Sequence, residues 1–192
     1  MGEYHDLAKL VDKGDFEETD SGIIIGGMRA RGVYHAYVDG VYVGSQTNKV
    51  PKEGLIYFLK TGLLGDAQNT SFYLALFSGA VNPQDNWTAA NFASNASEIV
   101  DSSEGYSNAS RPQWVPDSTT LAEPVVGNLD NLASYDIVCS SSINISGAAV
   151  LTSSTKGGTS GVLISATRFE NVHTVNDGST FQLGYEIELI DA

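Results

Sequence analysis

Residues 181–189 alternate without a break: Phe181, Leu183, Tyr185, Ile187 and Leu189 fall on one side of an extended chain, Gln182, Glu186 and Glu188 on the other. A period of two predicts a strand with one face in the core. The stretches "DIVCSSSINI", "GAAVLTSS" and "GVLISATRF" predict further strands, bounded by turns such as "TKGGTSG" and "VNDGS". "SFYLALFSG" is apolar at successive positions, which predicts a central strand covered on both faces. Residues 33–38 and 41–45 flank Asp39-Gly40, a two-residue hairpin signal in which Tyr37 faces Tyr42 and Val38 faces Val41. Aromatic cross-strand pairs of that kind add up to about 1 kcal/mol.

"VPKEGLIYFLKTGLLG" changes period and predicts a short helix. Pro51 suits its first turn, Glu53 suits the positive end of its dipole, and Leu55, Phe58, Leu59 and Leu63 form the expected apolar face. Residues 82–95 read equally as a helix or a wandering loop. Residues 116–134 read as a long polar loop. Many short strands with little helix predict a mainly β chain, an antiparallel, jelly-roll-like β-sandwich over residues 23–192. Residues 1–22 form the remaining unit, an acidic N-terminal arm.

Charge narrows the partners. The 192-residue chain carries a formal net charge of −13. Nucleic acid is excluded as an expected partner, because binding it needs phosphate-neutralising cations. An anionic membrane surface is disfavoured for the same reason, and no apolar run reaches the roughly 20 residues of a membrane span. A positively charged protein surface suits the chain better. Seven acids stand among residues 1–20 against Lys9 and Lys13, so this segment is either an arm that orders on a neighbouring subunit or a solvated tail. Cys139 is the only cysteine and lies in an apolar-flanked stretch, where it reads as a buried small hydrophobe.

Catalytic patterns fail one by one. In "STKGGTSG" the lysine precedes the glycines, the reverse of a phosphate loop, so a plain turn is expected. "SSTK" and "KTG" occur in the wrong order for the serine β-lactamase set. His5, His35 and His173 are too scattered for a metal set. Glu186 and Glu188 stand roughly 7 Å apart on one strand face, a separation glycosidases use, but a solvated pair is the plainer reading. Five Asn-x-Ser/Thr triplets carry no weight in a chain this rich in those residues. The reading is a non-enzyme without metal or cofactor.

One cation stands out. Arg111 is the only Lys or Arg between Lys60 and Lys156, set among Tyr106, Pro112 and Trp114. Pro112 biases it toward an extended backbone. The guanidinium is then placed to lie on Tyr106 or Trp114, or to fork onto a carboxylate such as Glu104. It is either an internal anchor for its loop or a contact to a partner.

Five segments in one order carry a resemblance: "IIGGMRARGVYHAYVDGVYV", "VPKEGLIYFLKTGLL", "FYLALFSGAVNP", "EGYSNASRPQW" and "GAAVLTSSTKGGTSGVLISATRF". Over roughly residues 22–190 the chain resembles a family of small virion structural proteins of tailed bacteriophages. The most specific parts are the Tyr-Ser…Ala-x-Arg-Pro segment and the Ser-Ser-Thr-Lys-x-Gly-Thr-x-Gly turn. The acidic arm and the 116–134 stretch depart from it. The resemblance implies a non-enzymatic role, decorating or cementing the outer head surface of a virion assembled in the host cytoplasm. Its expected partners are the major capsid protein and further copies of itself, a trimer being favoured by an icosahedral lattice. Two alternatives stay open. One is a host-recognition module of a head or tail fibre, with Tyr106 and Trp114 stacking on sugar rings; the other is a tail component.

Overall fold

The computed structural model describes residues 18–19, 22–25, 28–118, 120 and 122–191. The chain is mainly β and forms two antiparallel sheets. Twelve strands occur among these residues: β1 Glu18–Thr19, β2 Gly22–Ile25, β3 Met28–Val38, β4 Val41–Thr47, β5 Phe72–Phe77, β6 Gly105–Tyr106, β7 Gln113–Trp114, β8 Val125–Gly127, β9 Ala133–Val138, β10 Ser142–Leu151, β11 Leu163–Asn176 and β12 Thr180–Asp191. Two helices accompany them, α1 Lys52–Leu63 and α2 Ala89–Ala96. The expected arm over 1–22 lies outside the described residues, apart from positions 18, 19 and 22, which belong to β1 and β2.

The larger sheet runs β1-β2-β3-β12-β9-β6, with β4 also beside β3 and β8 beside β12. The smaller runs β11-β10-β5-β7. Between them lies the main core: Tyr34, Tyr135, Phe181, Leu183 and Tyr185 meet Leu74, Leu76, Val150, Ile164 and Val175. Two tyrosines cross this core and bond to the opposite sheet. Tyr34 Oη lies 2.7 Å from Ser165 Oγ, and Tyr135 donates to the Leu74 carbonyl at 2.9 Å. A second cluster covers the outer face of the smaller sheet, where Trp87 and Phe92 pack on Ala75, Phe77, Ala149 and Leu163. Strand β5 is therefore covered on both faces, as its unbroken apolar run predicts.

Asp39 and Gly40 adopt φ of 51° and 79°, the paired positive values of a type I′ turn. Tyr37 stands opposite Tyr42 and Val38 opposite Val41, with the two tyrosine rings 5.4 Å apart edge-on. Strand β12 seats Phe181, Leu183 and Tyr185 of its expected face fully in the core, but Ile187 is only half-buried and Leu189 is exposed, because the far end of the strand runs past the core.

Several expectations change. Helix α1 does not seat Leu55, Phe58, Leu59 and Leu63 in the core; its buried residues are Gly54 and Tyr57. The reason is close approach: a Cβ at Gly54 would collide with the Ile164 carbonyl, so the helix backbone itself sits against β11. Glu53 serves another helix as well as its own, accepting from the Ala89 amide that opens α2 at 2.7 Å and from Leu163 at 2.6 Å. The undecided stretch contains α2, whose preceding Thr88 amide is held by Asn91 Oδ1 at 2.8 Å. "DIVCSSSINI" is not one strand: β9 ends at Val138, and β10 runs from Ser142 through Leu151 with a bulge between Ile145 and Gly147. Strand β11 continues well past Phe169 to Asn176. Nor is 116–134 wholly loop, because β8 pairs with β12 and β9 begins at Ala133.

Candidate functional site

Arg111 is where three loops meet. Helix α2 ends at Ser97 in the left-handed conformation, φ 55°, and this turn presents Glu98 inward. Arg111 Nε donates to Glu98 Oε1 at 2.7 Å and Nη2 to Oε2 at 2.8 Å. Nη1 donates to the Ser153 carbonyl at 2.9 Å, and the Arg111 amide to Ser154 at 2.8 Å. Neither charged side chain is exposed. The "TKGG" turn faces the same carboxylate, since the Gly157 amide donates to Glu98 Oε2 at 3.0 Å. Pro112 keeps the chain extended, and its carbonyl accepts from Leu74 at the start of the covered part of β5. The assembly ties residues 97–98, 111–112 and 153–157 to one guanidinium. Arg111 is an internal anchor.

Its neighbours are not the expected ones. The carboxylate is Glu98, not Glu104, which instead accepts from the Ser140 amide at 3.2 Å. The ring under the guanidinium is Phe92, at 5.9 Å, rather than Tyr106 or Trp114. Tyr106 carries a different cation: Lys156 Nζ stands 3.9 Å from its ring centroid and donates to the carbonyls of Tyr106 and Asn108 at 3.0 and 3.1 Å. Partial burial holds the Lys156 pKa below its ordinary value, against the opposing pull of Glu98 and Asp101. The Tyr106 hydroxyl is buried without a hydrogen-bond partner, and burial, with Glu98 nearby, pushes its pKa up. Trp114 is half-buried; its indole N–H donates to the Tyr185 carbonyl at 2.9 Å and its ring packs between Phe72 and Tyr185. Tyr106 is thus closed to a sugar ring, and Trp114 is committed to the core edge.

The remaining polar candidates are engaged across strands. Glu186 meets His35 at 3.2 Å and Glu188 meets Arg31 at 3.6 Å, each pairing β12 with β3. His173 packs on Phe169 at 5.0 Å and Phe181 at 6.0 Å, and burial lowers its pKa. Cys139 is a free, buried thiol. Among the described residues no group of His, Cys, Asp or Glu is placed to hold a metal ion, and no helix is long and apolar enough to cross a membrane. A shallow groove of about 360 Å³ runs beside Lys156, lined by Ser102, Asn108, Ser110, Ser154 and Thr155. Its hydroxyls and amides supply hydrogen bonds but no converging acid, base or nucleophile.

Sequence reasoning missed Glu98 and Phe92. A signal for Glu98 was present: it is the only acid between Asp85 and Asp101, an isolated carboxylate matching an isolated arginine. It also missed two outward apolar surfaces. Strand β4 lies on the open edge of β3 and exposes Val41, Tyr42 and Val43 by 65, 52 and 39 %. Helix α1 turns Ile56, Leu59 and Leu63 to solvent. The chain matches no family model, no curated protein and no solved structure.

Proposed function

We propose that this chain is a structural protein of a tailed-phage virion, a decoration or cement unit that binds the major capsid protein on the outer head surface. Copies associate with one another there, in threes under the local symmetry of the lattice. The observation that carries the reading is β4. In a chain of net charge −13, Val41–Thr47 has no charged residue, and its first three side chains stand in solvent. Soluble proteins usually blunt an open strand edge with lysine, proline or a cover. The end of β4 is covered by β11, where Thr167 Oγ1 donates to the Thr47 carbonyl at 2.7 Å and the Glu170 amide to Gln46 Oε1 at 3.2 Å. Among the described residues its first half has no such cover and suits a partner that supplies one, and the net negative charge of the chain suits a basic partner face.

The resemblance over residues 22–190 supports the same role. The fibre-type reading loses support, because Tyr106 is buried and the Trp114 indole is already bonded. Mapping this chain in intact particles tests the proposal. Hundreds of copies spread over the shell are expected, and adding the purified chain to heads lacking it should raise their melting temperature. A few copies at one vertex or at a tail tip would overturn it.

A further inference from the structure

The outward side of helix α1 carries a line of apolar residues. Gly54 and Tyr57 face the protein, so Ile56, Leu59 and Leu63, spaced by three and four residues, share the opposite side. They are 43, 47 and 79 % exposed, and Leu64, just past the helix end, is 73 % exposed. Single exposed apolar residues are ordinary, but a contiguous set marks an interaction surface. Gly62 lies on the flank of this line. A Cβ there would meet nothing within 4 Å, and Gly65, at φ 75°, already supplies the left-handed stop. No contact inside the chain calls for a glycine at 62, where it weakens the helix. Bare backbone at that point lets a second helix approach closely.

Charge selects the occupant. The chain carries −13 as a whole, yet around α1 Lys49, Lys52 and Lys60 balance Glu53, Asp66 and Asp85. Lys49 pairs with Asp85 at 2.9 Å beside the first turn, Lys60 stands 3.7 Å from Asp66, and Glu53 is taken up by the amides of Ala89 and Leu163. Among the described residues Lys52 meets no carboxylate. A basic partner gains little from so balanced a surface, whereas two copies of an acidic chain meet there with least repulsion.

We propose that α1 packs antiparallel against α1 of a second copy, about a twofold axis at Leu59. The surface is self-complementary, as a twofold contact requires. An antiparallel pair sets the start of each helix beside the end of the other, which brings Lys52 to Asp66 of the second copy, twice over. Ile56 falls beside Gly62 of the second copy and Leu55 beside Leu63, because the members of each pair are equally far from 59. Leu59 meets its own counterpart at the centre. Being twofold, this contact differs from the one that gathers copies in threes on a head, and it does not rest on the particle role.

Sedimentation equilibrium of the free, full chain tests it. With rising concentration the mass should approach twice the 20.4 kDa of one chain. Leu59→Glu sets two carboxylates face to face at the axis and should weaken association about a hundredfold, with the melting temperature of the dilute chain unchanged. Lys52→Asp and Asp66→Lys should each weaken it about fivefold, and the two together should recover most of the loss. A chain that stays monomeric at every concentration would overturn the proposal. So would a three-chain mass, since a threefold axis cannot set Leu59 on itself, and so would association untouched by Leu59→Glu. Failure of the double variant to recover would overturn the antiparallel arrangement.

Discussion

The Arg111 guanidinium closes on the Glu98 carboxylate through side-by-side bonds of 2.7 and 2.8 Å, and solvent reaches neither side chain. Such a pair is not in itself a source of stability, because two charges had to leave water to form it. What it does is make each partner indispensable to the other. Removing one leaves an uncompensated buried charge, which costs roughly 3–5 kcal/mol.

The first prediction follows from that asymmetry. Arg111→Ala and Glu98→Ala should each lower the melting temperature by roughly 10 °C for a chain of this size. Arg111→Lys should lower it less, keeping the charge but losing the fork. The double variant Arg111→Met/Glu98→Leu should lose clearly less than the sum of the single losses. Thermal unfolding followed by circular dichroism measures all four. An Arg111→Lys protein that melts normally would show that the two-bond fork is not what holds the three loops together.

Gly54 gives a prediction in which two effects oppose. Glycine inside a helix is ordinarily worse than alanine by about 0.5–1 kcal/mol, so Gly54→Ala should stabilise an isolated α1. Here the added methyl meets the Ile164 carbonyl, part of a strand backbone that cannot swing aside. Overpacking of that kind costs about 1–3 kcal/mol. The collision wins, and the melting temperature should fall by a few degrees. A rise would mean that α1 does not sit on β11 through its backbone.

These residues also show what a single sequence reveals. The Asp39-Gly40 hairpin, the doubly covered β5 and the alternating β12 were legible because each is written in local chemistry: a positive φ, an unbroken apolar run, a period of two. Helix α1 was legible as an element but not in its orientation. Its apolar residues lie on nearly every side, so only the close approach at Gly54, a tertiary fact, decides which face turns inward. Strand β10 was divided between two expected strands, one ending at Ile145 and the next opening at Gly147, whereas the chain runs through Ser146 and Gly147 as a bulge beside the Phe77 ring. Arg111 was legible as an anomaly. Its partner was not, since Glu98 lies 13 residues upstream across a helix end, beyond the reach of any spacing rule.

Histidine 173 carries a pH prediction. Burial holds the His173 pKa below its ordinary value, so the unfolded chain binds the proton more readily than the folded one. The sign follows: stability is intact above the unfolded pKa of about 6.5 and falls as pH drops through it toward the lowered folded value. His173→Gln removes this contribution. Denaturant unfolding at about pH 7.5 and 5.5 should show a larger loss in the unsubstituted protein than in the variant. Equal losses would show that the ring is as free to protonate in the fold as out of it.

The edge strand offers a separation of stability from attachment. Val43 is more than a third exposed and lies on an uncharged edge, so Val43→Lys should change the unfolding free energy by no more than about 0.5 kcal/mol. If β4 is covered by a basic face of the capsid protein, the same lysine meets like charge and loses an apolar contact. Occupancy on heads should then fall by about tenfold, equivalent to 1.4 kcal/mol. Val43→Glu separates the two causes: it removes the same apolar contact but carries the sign of the chain's net charge, so it should bind better than the lysine variant. Equal binding by both would trace the loss to shape alone and argue against a basic partner. Full occupancy with Val43→Lys would show that β4 is not the edge through which this chain attaches.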